Sequence, residues 1–382
     1  MIAAMHKAGL RAVLDVVYNH SVPASGEDSA FWQTVPYYYF RTNDQGQVLN
    51  ESGVGNALHD ERPMVRKYIR DSLKYWVLEY GIDGFRFDLI GMFSKSTVQN
   101  LTLELHKIRP DLVLYGEPWT GGGPLRFGKG SQRGLNFAVF NDNYRNAMRG
   151  DLDGNKPGFI NGALTSITSL KRGIVGSIAY DTSIQDFTDQ PIESINYVSA
   201  HDNLALWDKL EKVMPDANMR LKSANLAAAM VLLAQGVPFL EGGVEIGRSK
   251  AGNNNSYNAG DAVNKYDWTR ASSFTNSYNY MKGLIALRRA FPAFRLSSAD
   301  AVKKTLKFLP DSSLPLSTIA FTLEGAKRIL VVFHGSTQSD NMQLPAGTWT
   351  LHADGTRAGL TPLGTISGNL KLEPLSSYVL VQ

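Results

Sequence analysis

Short apolar segments alternate with longer amphipathic ones along the chain as far as about Phe294. The apolar segments predict six β-strands, near 11–17, 82–88, 111–117, 135–141, 195–201 and 237–242. Helices or long loops rich in polar and aromatic residues are expected between them. Because strands that alternate with helices are typical of an α/β fold, the pattern predicts a largely parallel sheet over most of the chain.

The clearest helix is predicted from Pro63 to Tyr80. Its apolar residues recur at helical spacing and are expected on one face; they are Val65, Ile69, Leu73, Trp76, Val77 and Tyr80. Asp60 and Glu61 precede this segment, and acidic side chains favour the start of a helix, so both are expected to stabilise it. A second helix, over 218–235, is apolar on most sides and is expected to pack against the sheet.

The pattern changes beyond Arg295. The segments TIAFTLEG, RILVVFHG, GTWTLHADG and SSYVLVQ are short, alternate between apolar and polar residues, and are separated by Gly, Pro, Asp and Asn. Such segments are typical of an antiparallel β-domain. We therefore predict two domains, an α/β domain over 1–294 and an antiparallel β-sandwich over 295–382.

The composition is that of an ordinary globular protein. Hydrophobic residues make up 43% and charged residues 19% of the 382 positions. The formal net charge of +4 is spread along the chain, so neither a nucleic-acid nor a membrane partner is expected. Without cysteine there is no disulfide framework. The first residues, MIAAMHKAGLRAVLDVV, lack a signal-peptide layout, and the sequence leaves the compartment, secreted or cytoplasmic, open.

Three acidic residues come directly at the ends of three predicted strands. Asp88 lies in GFRFDLIG, Glu117 in LYGEPW and Asp202 in YVSAHDN. Taken alone, Asp88 could form a turn or a helix cap, and Glu117 could be a solvated loop acid. In a (β/α) barrel, however, the carboxyl ends of the strands carry the catalytic groups. The ordered set therefore predicts a site that cleaves sugars.

With AVLDVVYNH at 12–20, these runs resemble in order the strand-end motifs of the α-amylase superfamily of glycoside hydrolases. Three longer segments are similar to signatures of the type I pullulanases, which debranch starch; they are LYGEPWTGG at 114–122, YVSAHDNLALWD at 197–208 and NNNSYNAGDAVNKYDW at 253–268. The resemblance implies that the domain over 1–294 is a partial catalytic (β/α) barrel of the TIM type. It also implies a retaining hydrolase that cleaves α-1,6 linkages in pullulan and branched dextrins. Its substrate partner would be an α-glucan polysaccharide or oligosaccharide.

The resemblance also implies roles for the three acids. Asp88 would attack the anomeric carbon and Glu117 would act as acid and then base, with the two carboxyl groups about 5–5.5 Å apart. Arg86, two residues before Asp88 on the same strand face, would keep that carboxylate ionised. Trp119 is expected to help form an apolar wall that raises the pKa of Glu117. Asp202 would accept hydrogen bonds from the hydroxyls beside the anomeric centre.

Further residues are candidates for substrate binding. They are His20, His201, Asn203, Tyr257 and Asn258, of which the two histidines are expected to donate to sugar hydroxyls. Asp15 is more simply a buried structural acid that binds Arg86 or orders Asn19 and His20. The Asn-rich loop at 253–268 suits sugar hydroxyls, although the same residues could be turn chemistry. Its oxygens are compatible with Ca²⁺, but no spacing defines a metal ligand set, and no cofactor is expected to be required.

The resemblance departs from the family at the start of the chain. The YNWGYDP motif of an earlier strand has no counterpart, and Met1 lies inside the helix expected before the third of eight strands. We therefore expect an incomplete barrel of about six strands, the first two missing, with open edges at 11–17 and 237–242. Open edges favour self-association, and low activity is expected without the missing motif.

Two other functions fit the same motifs. An α-1,4-acting amylase or an amylopullulanase would share the bond-cleaving residues, because the choice of linkage depends on loops. A catalytically weak module that only binds α-glucan would result if the missing part of the barrel were essential.

Overall fold

The computed structural model describes residues 1–22 and 28–382. These residues fold into two compact units, Met1–Phe140 and Asn141–Gln382. The helices of the first unit are α1 (Ile2–Lys7), α2 (Ala30–Thr34), α3 (Pro63–Tyr80) and α4 (Lys95–Ile108). Its strands are β1 (Val13–Val16), β2 (Gly84–Phe87), β3 (Val113–Gly116) and β4 (Ala138–Phe140).

The four strands of the first unit pair in parallel and in chain order. In the register of β1, β2 and β3, Asp15 lies opposite Arg86, which in turn lies opposite Tyr115. Strands β3 and β4 pair in the same direction. The carboxyl ends of all four strands therefore lie at one edge of the sheet, where Asp88 and Glu117 follow β2 and β3.

Helix α3 has the predicted bounds, but two of the residues expected on its buried face are not buried. Val65, Ile69, Leu73 and Val77 are the buried residues of the helix, whereas Trp76 is half-buried and Tyr80 is exposed. Asp60, which was expected to stabilise the start of this helix, bonds elsewhere. Its carboxylate accepts hydrogen bonds from the backbone N–H and hydroxyl of Ser94 and pairs with Arg41, so it joins α4 to the loop before α3.

The second unit contains the remaining helices and strands. The helices are α5 (Asp142–Arg149), α6 (Ile167–Ile174), α7 (Leu206–Val213), α8 (Ala217–Leu233), α9 (Asp261–Asn264), α10 (Thr275–Ala290) and α11 (Ala299–Thr305). The strands are β5 (Ser194–Asn196), β6 (Val237–Pro238), β7 (Leu306–Phe308), β8 (Thr318–Leu323), β9 (Ile329–His334), β10 (Asp340–Gln343), β11 (Trp349–Asp354), β12 (Gly364–Ile366), β13 (Asn369–Leu372) and β14 (Ser376–Val381).

Strands β5 and β6 are parallel, whereas β7 to β14 form two antiparallel sheets. The larger sheet has the order β12-β11-β14-β9-β8-β7, and β10 pairs with β13. Strand β9 is apolar along nearly its whole length because both of its faces are buried. Val331 belongs to a core shared with α8, while Leu330 and Val332 belong to a second core that includes β10 and β13.

The predicted fold class is confirmed. Six parallel strands alternate with helices in the described part of the chain, and an antiparallel β-region follows, as expected of an incomplete TIM-type barrel with a C-terminal β-domain. The strands are shorter than predicted; β6 has two residues, one of them Pro238, which has no N–H to donate. The predicted domain boundary at 294/295 stays a prediction. No helix in the described ranges is both long and apolar enough to cross a membrane.

Candidate active site

Three carboxylates converge on the guanidinium of Arg86, which is only 6% exposed. Its Nη1 donates to Asp15 Oδ1 at 2.8 Å and to Asp88 Oδ1 at 3.0 Å, and its Nη2 donates to Glu117 Oε1. Burial alone would lower the pKa of Arg86, but the attraction of Glu117, Asp15 and Asp88 outweighs it and raises the pKa. Arg86 therefore stays charged and links the ends of β1, β2 and β3.

Glu117 is the most buried of the three acids, at 4% exposure. Its Oε2 accepts a hydrogen bond of 3.0 Å from the backbone N–H of Leu89. Leu89 has a left-handed φ of 41°, a conformation that costs energy for a branched side chain and turns the chain immediately after Asp88. The turn thus directs the backbone N–H of Leu89, just after β2, at the acid that follows β3.

A close backbone approach holds the segment that carries Glu117. A Cβ atom at Gly91 would lie 2.3 Å from the carbonyl oxygen of Trp119, so only glycine fits there. The N–H of Gly91 donates to the carbonyl oxygen of Glu117 at 3.0 Å. The indole of Trp119 packs near Phe140, with ring centroids 6.3 Å apart. The Trp119 ring therefore has an aromatic neighbour, while the Glu117 carboxylate itself is bonded by Arg86. The predicted rise in the pKa of Glu117 stays a prediction.

Asn19 and His20 extend the network from the end of β1. Asn19 Nδ2 donates to the carbonyl oxygen and to Oδ2 of Asp88, at 2.9 and 2.8 Å. Asn19 Oδ1 is therefore an acceptor, and His20 Nδ1 donates to it at 2.5 Å. Burial lowers the pKa of His20 more than Asp88 raises it, which favours the neutral ring. A neutral His20 presents Nε2 as an acceptor, so donation from that atom to a sugar hydroxyl requires the protonated ring.

Asp15 pairs with Arg86 as predicted, but the expectation that it is buried is wrong. Its side chain is 54% exposed. Residues 13, 15 and 17 share one face of the strand, and Val13 and Val17 on that face are exposed as well. The ion pair with Arg86 is therefore open to water on the Asp15 side.

In the second unit, His201, Asp202 and Asn203 follow β5 in a loop. His201 Nε2 lies 3.6 Å from Asp202 Oδ1, and both side chains are more than half exposed. Asn203 adopts a left-handed φ of 62° and donates from Nδ2 to Asp153 Oδ2 at 3.0 Å. The turn at Asn203 leaves the two preceding side chains open to solvent.

The Asn-rich loop combines turn chemistry with exposed side chains. Asn253 Oδ1 accepts from the N–H of Asn255 at 2.9 Å, and Asn264 Nδ2 donates to the carbonyl oxygen of Ser256 at 2.6 Å. These bonds support the turn interpretation for the loop framework. Tyr257, at 82% exposure, and the exposed Asn258 project from that framework and remain the candidates for sugar contact.

Buried charges behind the loop at 198–204 were missed by the sequence analysis. Lys250 is buried and its ammonium bonds to the carbonyl oxygens of His201 and Asn203. Arg149, also buried, donates to the carbonyl oxygens of Val198 and Leu204. Burial lowers the pKa of Arg149 to about 10, which still leaves it charged at neutral pH. No local pattern marks a single lysine or arginine as buried, so the sequence carried no signal for either.

Comparisons with known proteins agree with the motif resemblance. A family model described as the all-beta domain of pullulanase matches residues 302–357. Pullulanase from Bacillus subtilis (strain 168) is 39% identical over 359 residues, which cover 90% of this chain and 49% of that protein. The chain spans about half the length of the curated relatives it matches.

Two solved structures resemble the whole chain. Pullulanase from Bacillus acidopullulyticus has a TM-score of 0.94 and 41% sequence identity, covering 100% of this chain and 47% of that one. Type I pullulanase from Bacillus subtilis str. 168, complexed with maltose, has a TM-score of 0.92 and 35% identity, covering 100% of this chain and 55% of that one. The resemblance given by the strand-end motifs is confirmed.

Proposed function

We propose, since this chain belongs to the pullulanase family, that it is the bond-cleaving part of an α-glucan debranching glycoside hydrolase. The observation that carries the proposal is the placement of Asp88 and Glu117 on two nitrogens of one guanidinium, that of Arg86. A shared guanidinium keeps two carboxylates close together, as cleavage with retention requires. Asp88 is then the nucleophile and Glu117 the acid and base.

The contacts of Glu117 suggest how its two roles alternate. As the acid it carries a proton, and a neutral carboxyl gives up most of its attraction to Arg86 while Oε2 keeps its bond from Leu89 N–H. Arg86 then binds chiefly Asp88 and Asp15, so its positive charge stays beside the nucleophile. After Glu117 has protonated the leaving oxygen, its carboxylate regains the Arg86 bond and can take a proton from the attacking water.

Asp202 and its neighbours have the binding roles that the motifs imply. Asp202 accepts hydrogen bonds from the hydroxyls beside the anomeric carbon and so favours the flattened ring of the transition state. His201, Asn203, His20 and Trp119 are further proposed contacts of the sugar. The maltose complex of the Bacillus subtilis relative supports an α-glucan as the ligand class. No organic cofactor is proposed, and the compatibility with Ca²⁺ and the expected self-association stay predictions.

Cleavage at α-1,6 linkages is the proposed specificity, and product analysis on pullulan tests it. Cutting only those bonds releases maltotriose, whereas cutting α-1,4 bonds leaves trisaccharides that still contain a 1,6 bond. We expect maltotriose as the main small product. Trisaccharides with an internal 1,6 bond would favour an amylase, and retention on immobilised pullulan without release of reducing ends would favour a binding module.

Tyr257 and Asn258 are expected to serve substrate binding and not folding, because both are exposed. The double replacement Tyr257→Ala/Asn258→Ala should raise KM on pullulan by about tenfold and leave the midpoint of thermal unfolding within a degree or two of wild type. Asn264→Ala is the matched control, since Asn264 bonds within the loop framework. If the double variant lost stability and kept its KM, the whole loop would be structural.

A further inference from the structure

Lys250 bonds to backbone carbonyl groups of the loop that carries Asp202. Its ammonium donates to the carbonyl oxygens of His201 at 2.8 Å and of Asn203 at 2.6 Å, so it spans the residue between them. The side chain is buried, with 1% of the residue exposed. Burial lowers the pKa of Lys250, and the nearby Glu241, Asp202 and Asp208 carboxylates oppose that effect. The amino group of Lys250 therefore lies directly behind the peptide units of Asp202.

Asp153 holds the same loop through N–H donors. Its Oδ2 accepts from Asn203 Nδ2 at 3.0 Å and its Oδ1 accepts from the N–H of Leu204 at 2.9 Å. Asn203 has a left-handed backbone, which persists in a folded protein when surrounding contacts enforce it. Asp153 supplies those contacts immediately after Asp202.

Two adjacent residues of α7 hold Lys250 and the loop that carries Asp153 in place. Asp208 accepts from the backbone N–H of Lys250 at 2.8 Å and from the hydroxyl of Ser249. Lys209 donates to Asp151 Oδ1 and to the carbonyl oxygens of Gly154 and Lys156, the latter two at 2.9 and 3.0 Å.

The ammonium of Lys209 therefore sits where the oxygens of the loop DLDGNK at 151–156 converge. That loop carries Asp153, so Lys209 fixes the position of Asp153. Asp208 fixes the position of Lys250.

We propose that Lys250 and Asp153 are positioning residues for Asp202, anchored to one helix through Asp208 and Lys209. Neither acts on the sugar; each fixes the peptide units that flank the residue proposed to bind the hydroxyls beside the anomeric carbon. The inference rests on the proposed function, in which Asp202 favours the transition state. A misplacement of about 1 Å at such a group can cost roughly 10²-fold in rate.

Kinetics of Lys250→Met, in the full chain, is the first arm of the test. Methionine keeps much of the side-chain length and removes all three donors. We expect kcat on pullulan to fall by about 10²-fold with a smaller change in KM, because the lost contact matters chiefly in the transition state. In the Asp202→Asn background, Lys250→Met should cause little further loss, since the group that it positions is already disabled. Lys282→Met, on the exposed face of α10, is the control and should match wild type.

Amide hydrogen exchange of the segment 198–205 is the second arm and does not depend on activity. We expect faster exchange in this segment for Lys250→Met and for Asp153→Ala, and no change for Lys282→Met. If Lys250→Met does not fold, Asp153→Asn replaces it, because Asp153 is only half-buried and the amide keeps one acceptor.

Wild-type exchange together with wild-type kcat in the positioning variants would overturn the inference. Equal losses of kcat in the wild-type and Asp202→Asn backgrounds would also overturn it, because they would indicate a general structural role. If the wild-type chain does not hydrolyse pullulan at all, the proposed function fails, and the exchange data alone decide whether the two residues order the loop.

Discussion

Asp88→Asn and Glu117→Gln are each expected to lower kcat on pullulan by at least about 10³-fold while thermal unfolding stays near wild type. Each change is nearly isosteric and removes a group that the mechanism cannot replace. In Asp88→Asn the remaining amide oxygen can still accept from Asn19 or Arg86, so the local structure should persist. Steady-state kinetics with circular dichroism and thermal melts measures both properties, and Glu79→Gln, on the exposed face of α3, is the control.

Substrates with different leaving groups separate the two roles. The leaving group of an aryl α-maltotrioside departs with little need for protonation. Glu117→Gln should therefore recover much of its first-step rate on this substrate, whereas Asp88→Asn should not. Turnover near wild type in Asp88→Asn, or recovery of that variant on the aryl substrate, would contradict the nucleophile assignment.

Arg86→Met is expected to lower the free energy of unfolding by about 3–5 kcal/mol and to abolish activity. The change removes the shared cation of Asp15, Asp88 and Glu117 and leaves the buried Glu117 without its ion pair. Urea unfolding at neutral pH measures the stability. Asp15 is more than half exposed, so Asp15→Asn should cost far less, about 1 kcal/mol or below, and serves as the matched single-partner control.

Arg86→Lys refines this prediction. Lysine keeps the charge but cannot hold two carboxylates in the fixed geometry of a guanidinium, so intermediate stability with low activity is expected. An Arg86→Met protein as stable and as active as wild type would show that the three carboxylates do not depend on Arg86.

The sequence located most of the parallel strands and the acids at their ends because those signals are local. A short, largely apolar strand that ends directly before Asp88 or Glu117 can be recognised without knowing what lies beside it. The convergence on Arg86 was only partly predictable. Its pairing with Asp88 follows from spacing on one strand, and Asp15 was an expected partner. Its contact with Glu117 depends on the register of β2 and β3, which no local pattern specifies.

The main omissions share a physical cause. Asp60 was expected to stabilise the start of α3, yet it bonds to Ser94 and Arg41, which are distant in sequence. Lys250 lies in a polar, glycine-rich stretch that is typical of an exposed loop, but tertiary contacts bury it behind His201 and Asn203. The segment of β9 was described as alternating, whereas all six residues of the strand are buried because a second sheet covers its other side. In each case the partner is far away in the chain.

Proton NMR of the first products from pullulan tests the central claim most directly, because the configuration of the new reducing end depends on whether a carboxylate or a water molecule attacks the anomeric carbon. We predict maltotriose whose new reducing end appears first as the α-anomer and only later equilibrates with the β-anomer. Initial appearance of the β-anomer, or no release of maltotriose by the folded chain, would contradict retaining cleavage of α-1,6 linkages by Asp88 and Glu117.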